Sequence, residues 1–361
     1  MTFDPTKPFN DLPLLPPTID IETRPVLKQL ARSRSALAEL KGYADMIPNK
    51  RLLLDAVVLL EAKDSSGIEN IVTTHDELYK ALVADPATLS TAAKEVMNYR
   101  AAVYRGHELI QKRGIITANM LCEIQAELEQ NKAGIRKLPG TVLMNDRTGA
   151  VIYTPPVGED TLRTLLADLE RYLNTADTTD PLIKMAVAHY QFESIHPFYD
   201  GNGRTGRILN VLYLVTNGLL DFPLLYLSRH IIAHKSDYYR LFQEVRTAQR
   251  WEEWVLYMLK AVEETALWTH ALIRNIRGLM ETTAEKVRVD LPKIYSRELI
   301  ELLFSQPYIR IDTLVAHGLC ERRTASKYLS ELEAAGFLTS QKEWKTKLFI
   351  NAALFELLKK S

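Results

Sequence analysis

Twelve consecutive residues concentrate the chemistry of this chain: His196-Pro197-Phe198-Tyr199-Asp200-Gly201-Asn202-Gly203-Arg204-Thr205-Gly206-Arg207. Pro197 ends the preceding helix, which leaves His196 at a helix C-terminus facing a loop. A histidine there is a base with a pKa near working pH. Gly201 and Gly203 tolerate positive φ and the close approach of another group, so the turn can line up backbone N–H groups as an anion nest. The nest opens a new helix, whose N-terminus also favours an anion. Arg204 and Arg207 fall on neighbouring faces of that helix. A nest beside two arginines describes a phosphate pocket. Asp200 adds one carboxylate at its edge, a sensible ligand for magnesium held mainly by phosphate oxygens. The plainer reading is a glycine turn between two core helices, with His196 as a cap.

Other chemistries fit less well. The chain has no Walker-A pattern and no His-Glu-x-x-His. His189 and His196 could share a helix face as zinc ligands, but no third ligand is evident. The 361 residues carry zero formal net charge, so nothing global argues for nucleic acid or membrane binding. Apolar residues at 47% and charged residues at 25% describe a globular chain of two or three domains. Cys122 and Cys320 form no metal spacing and read as two buried reduced thiols of a cytoplasmic protein. The first 17 residues lack the basic start and apolar stretch of a signal peptide. The most apolar window, Ile208 to Leu227, is broken by Asn217-Gly218 and Asp221-Phe222-Pro223, which suits a buried helix and a loop better than a membrane span.

The elements that must position the loop are mostly helices. Residues 1–24 are proline-rich and read as an extended surface arm. Helical spacing begins near Arg24, and Leu52 to Leu60 leads into Ser65-Ser66-Gly67-Ile68-Glu69-Asn70. Helices are expected over about 74–83, 90–112, 117–127, 160–173, 181–195, 204–216, 235–247 and 251–289. Asp180 and Pro181 supply an N-cap and a first turn. Thr141 to Met144 and Ala150 to Tyr153 read as a hairpin, turning at Asn145 to Gly149 with Asp146 and Gly149 in the turn. After Leu291-Pro292 come three short helices and two strands around Lys342 to Ile350, an order that resembles a winged helix-turn-helix.

The twelve-residue loop resembles the motif of the Fic family: His, often Pro, Phe, any residue, Asp or Glu, Gly, Asn, Gly, Arg, two residues, Arg. Every fixed position matches. The resemblance implies a mainly α fold, a Fic-type helical core with a short hairpin flap. It implies a protein adenylyltransferase that moves AMP from ATP, with magnesium, onto a Tyr, Thr or Ser hydroxyl of a protein. His196 would take the proton of the attacking hydroxyl, and Asp200 would hold the metal. Gly201, Asn202, Gly203, Arg204, Thr205, Gly206 and Arg207 would bind the ATP phosphates, and Phe198 would anchor the loop in the core. Ile152 and Tyr153 correspond to the flap that docks a target segment. Tyr238 and Tyr239 match an adenine-pocket pair, with core packing as their alternative.

Ser65, Glu69 and Asn70 match the family's inhibitory pattern. Ser65 and Glu69 share a helix face, and Glu69 paired with Arg207 would occupy the γ-phosphate position. The division expected is 1–112, a helical segment with the inhibitory motif; 113–290, the catalytic core; and 291–361, the winged helix. The implied partner is a protein substrate, the enzyme itself included, and a homodimer is left open. In the winged helix, Arg322, Arg323, Ser326 and Lys327 make a thin basic footprint, so a solvated or protein-docking face is favoured over DNA. Two rival functions remain: hydrolysis of AMP from a modified protein at the same site, and a DNA-binding regulator whose core senses nucleotide.

Overall fold

The computed structural model describes residues 3–45, 50–145, 148–343 and 346–360. Asp146, expected in the hairpin turn, lies outside them, as do residues 344 and 345 of the C-terminal pair of strands. The described residues form fifteen α-helices and two small antiparallel sheets. None of these helices is long and apolar enough to cross a membrane.

The chain enters as an arm, and the arm is more buried than its composition suggests. Leu12 and Leu15 are buried. Phe9 N–H donates to the Thr154 carbonyl at 3.0 Å, and Leu15 N–H donates to the Asp168 carboxylate at 2.7 Å. Helices α1 (Arg24–Asp45), α2 (Lys50–Ile68) and α3 (His75–Ala81) follow. Thr74 caps α3 by accepting from Glu77 N–H at 3.1 Å. Ser90 and Thr117 do the same for α4 (Thr91–Arg113) and α5 (Ala118–Glu129).

The flap comes next. Strands β1 (Leu143–Met144) and β2 (Val151–Tyr153) pair antiparallel, with Leu143 opposite Tyr153. Asn145 N–H donates to the Ala150 carbonyl, and Gly149 at φ 67° closes the turn.

Helix α6 (Glu159–Asn174) leads to the centre of the molecule, where α7 (Pro181–Ile195) and α8 (Asn202–Thr216) pack on each other. Asp180 caps α7 as its sequence suggests, accepting from Leu182 N–H at 2.8 Å. Nearly every side chain of α7 is buried, the polar Lys184, His189 and Gln191 included. A short helix, α9 (Leu227–Ala233), not anticipated in the sequence, precedes α10 (Lys235–Ala248) and the 40-residue α11 (Trp251–Asp290). Trp254 of α11 donates its indole N–H to the Ala186 carbonyl at 2.8 Å, locking α11 against α7. Helix α1 lies along α11.

The C-terminal elements are α12 (Arg297–Leu303), β3 (Tyr308–Ile309), α13 (Ile311–Ala316), α14 (Arg322–Ala334), β4 (Thr339–Glu343), β5 (Thr346–Ile350) and α15 (Ala352–Lys359). Their sheet has the order β3-β5-β4. Strand β3 and helix α15 are additions to the sequence reading.

Candidate active site

Helix α7 ends at His196, whose backbone takes the left-handed conformation at φ 49°, ψ 59°. Non-glycine residues adopt that conformation uncommonly. Here the surroundings impose it. Arg136, itself 1% exposed, donates from Nε to the His196 carbonyl at 2.8 Å and from its backbone N–H to the Pro197 carbonyl at 2.9 Å. A second guanidinium nitrogen donates to the Pro156 carbonyl. Sequence reasoning missed Arg136, because it lies 60 residues away and carries no local pattern. The imidazole Nδ1 is buried with no well-formed hydrogen bond, leaving Nε2 for the cleft. Burial, aided by the Arg136 charge, pushes the His196 pKa down to about 4; the Glu193 backbone, Glu69 and Asp200 oppose that shift.

The loop is tied internally. Asn202 accepts from Phe198 N–H at 2.8 Å and donates to the Phe198 carbonyl at 2.9 Å. Its amide therefore holds the loop. Phe198 is fully buried, as an anchor would be. Gly201 has φ 76° and precedes the first turn of α8. The first N–H groups of that turn have no intrahelical partner, so they remain available to an anion. Asp200 accepts from Gly201 N–H at 2.7 Å, and its side chain is 80% exposed.

The two arginines are engaged by carboxylates. Arg204 donates to Glu95 and to Glu129, each at 2.8 Å. Both partners were missing from the sequence reading, since neither lies near the loop in the chain. Arg207 is 1% exposed and makes three contacts with α2 and the turn that follows it. Its Nε donates to Ser65 Oγ at 2.7 Å, and its Nη2 donates to the Ser65 carbonyl at 2.9 Å and to Glu69 Oε1 at 2.8 Å. Burial alone would raise the Glu69 pKa, but Arg207, Arg204 and His196 together hold it below the usual carboxylate range. Gly203 makes the approach feasible: a Cβ there would stand 2.2 Å from Glu69 Oε1. Asn70, at φ 64°, turns the chain out of α2. Gly206 similarly leaves room for Glu193, whose Oε1 would lie 2.4 Å from an added Cβ. That carboxyl oxygen is buried without a partner, and burial pushes the Glu193 pKa up to about 8.

His196, Glu193, Gly203, Arg207 and Glu69 line one cleft of about 700 Å³, together with Ile152, Tyr153, Lys235, Tyr238 and Tyr239. Of the other expected loop residues, Asp200, Gly201, Asn202, Arg204, Thr205 and Gly206 do not line it, and Thr205 and Gly206 belong to the buried side of α8. Tyr238 is buried, and its hydroxyl lies 2.7 Å from His189 Nε2. Tyr239 is 44% exposed. Tyr153 lines the cleft from the flap strand. Its side chain is fully buried and donates to the Ser194 carbonyl at 2.7 Å, so it anchors the flap from beneath. Ile152 stays half-buried, its carbonyl accepting from Gln243 at 3.2 Å.

Three family models match segments of this chain. Residues 27–108 match the Fic/DOC family N-terminal region, and residues 115–214 match the Fic/DOC family itself. Residues 279–354 match the C-terminal domain described for SoFic-like protein adenylyltransferases. The chain is 32% identical over 178 residues to a probable protein adenylyltransferase of Aquifex aeolicus, covering 46% of this chain and 51% of the relative. It is 29% identical over 192 residues to the protein adenylyltransferase Fic of Drosophila melanogaster, covering 51% of this chain and 36% of the relative. The chain thus spans about half, or less, of the length of these curated relatives. The crystal structure of a Fic family protein from Desulfovibrio desulfuricans covers 93% of this chain and 98% of its own, with a TM-score of 0.60 at 19% identity. At that identity the likeness shows the fold. The matched segments include the loop that holds His196 and Arg207 and the helix that supplies Ser65, and on these grounds the chain belongs to the Fic/DOC family.

Proposed function

We propose that the chain is a protein adenylyltransferase that moves AMP from ATP onto a protein hydroxyl and is held idle by Glu69. One arrangement carries this reading: a neutral histidine, a helix N-terminus and Arg207 converge on one cleft, and Glu69 lies across Arg207. In the transfer step the target oxygen forms a bond to the α-phosphorus. The bond from that phosphorus to the oxygen bridging to the β-phosphate breaks, and its electron pair leaves with pyrophosphate. The hydroxyl proton passes to His196 Nε2, which is free to accept it because burial keeps the imidazole neutral at pH 7. The N–H groups that open α8, with Arg204 and Arg207, oppose the phosphate charge, so catalysis is mostly placement and charge stabilisation.

Asp200 fits a metal ligand. It is exposed, it accepts one hydrogen bond from Gly201 N–H with Arg204 Nη2 4.0 Å away, and it keeps lone pairs free for a metal ion. Magnesium bound there, shared with phosphate oxygens, would neutralise charge on the nucleotide.

The C-terminal helices and sheet read as a winged helix, but its basic face is partly spent. Arg322 is paired with Asp312, and Lys327 lies 3.7 Å from Glu331. That favours a protein-facing role over DNA. The proposed activity is tested by incubating the chain with ATP labelled at either the α or the γ position and a cell lysate. Label should enter protein from the α position alone. Label entering from the γ position would indicate a kinase, and α-label lost from pre-labelled protein would indicate a hydrolase.

A further inference from the structure

Glu69 sits in the turn between α2 and α3, and both of these helices touch the C-terminal elements. On its core side α2 is held by Glu61, which accepts from Ser228 N–H at 2.9 Å, from Ser228 Oγ at 2.5 Å and from Tyr99 at 3.2 Å. On its other side, Ala56 and Leu59 of α2 face Phe304, Pro307 and Leu354 across a narrow seam. Helix α3 starts six residues beyond Glu69 and is held more specifically. Tyr308, 3% exposed, donates to Asp76 Oδ1 at 2.5 Å. Phe355 packs edge-on against both Tyr79 and Tyr308, with ring centroids 6.0 and 5.9 Å apart. The turn is also held from α10, where Lys235 donates to the Ile68 carbonyl at 2.6 Å and to Asn70 Oδ1 at 3.4 Å. Val72 is 79% exposed, and the turn's own hydrogen bonds run back into the last residues of α2: Glu69 N–H and Ile71 N–H to the Ser66 carbonyl, Asn70 N–H to the Gly67 carbonyl.

We infer that the C-terminal elements are the outer jaw of the brake, pressing α2 and α3 onto the core so that Glu69 stays on Arg207. A macromolecule that engages the C-terminal elements and loosens the Tyr308–Asp76 and Phe355–Tyr79 contacts would then free the cleft. This rests on the reading of Glu69 as inhibitory, and it adds that the signal arrives through Tyr308 and Phe355.

The test uses the full chain with Tyr308→Phe and Phe355→Ala, each alone and combined with Glu69→Gly. Two quantities are read: hydrogen exchange at the amides of residues 69–71, and transfer of α-label from ATP. Tyr308→Phe removes one hydroxyl and should not unfold the C-terminal elements, which is checked by unchanged exchange in β5. In the otherwise native chain, exchange at 69–71 should quicken and labelling should rise about three- to tenfold, the range expected for one lost hydrogen bond. In the Glu69→Gly background, labelling should not rise further, because there is no brake left to release. Unchanged exchange at 69–71 in both single variants overturns the inference. So does a rise in labelling that persists undiminished on top of Glu69→Gly. If Glu69→Gly itself gives no gain, the inhibitory reading fails, while the exchange result still decides whether the jaw holds the turn.

Discussion

Glu69 Oε1, in the turn just past the end of α2, lies 2.8 Å from Arg207 Nη2, and Ser65 in the last turns of that helix accepts from Nε and again from Nη2. In the proposed reading, the guanidinium nitrogen that Glu69 holds is the one a γ-phosphate would need.

His196→Ala should abolish transfer and leave nucleotide binding largely intact, since the phosphate contacts come from α8. Loss of a general base accounts for about 10²- to 10⁴-fold in rate. Labelling within a few-fold of the parent, measured in the Glu69→Gly background, would remove His196 from the role of base.

Asp200→Ala should leave the fold unchanged, because its side chain is 80% exposed. Transfer should require a divalent ion, and the variant should need a higher concentration of it. Titrating magnesium against labelling rate reads both effects. Full activity in excess chelator would exclude the metal role.

The buried titratable groups predict an unusual dependence of stability on pH. Glu193 and Glu61 titrate at about 8 and about 7 in the folded chain, raised from 4.5, chiefly by burial. The folded state therefore holds their protons longer than the unfolded state, so their contribution is present at low pH and is lost as pH rises towards 8. His189 and His196 are shifted the other way by burial, from 6.5 to about 3 and about 4. Their contribution is present above 6.5 and is lost as pH falls towards 4. The two pairs oppose each other between about pH 4.5 and 6.5, and only the carboxyls act above that. Urea midpoints should therefore fall from about pH 6.5 to 8.5, and Glu193→Gln should lessen the fall. A midpoint that rises over that interval contradicts the assignment.

The catalytic loop was legible because its residues are contiguous and each type has a local reason to be there. Helix α7 was legible for the same kind of reason: Asp180 and Pro181 mark its start and Pro197 bars its continuation. What escaped was what the tertiary fold supplies. Arg136, Glu95 and Glu129 reach the loop from distant segments, and no spacing in the chain links them to it. Helix α9 has only seven residues and lies between loops, so its periodicity had no length in which to show. That the Tyr153 side chain is buried could not be read from the flap, since two or three residues of strand are too few to tell an inner face from an outer one.

The most direct measurement is α-label transfer by four proteins side by side: the parent chain, Glu69→Gly, Arg207→Ala and the double variant. Glu69 keeps 37% of its side-chain exposure, so its contact with Arg207 is partly screened, and a gain of about tenfold is expected for Glu69→Gly. Arg207→Ala should show no gain, because it frees Glu69 but removes the phosphate ligand, and the double variant should stay as low. Equal labelling by the parent and Glu69→Gly would contradict the account, and loss of activity in Glu69→Gly would instead make Glu69 part of the catalytic machinery.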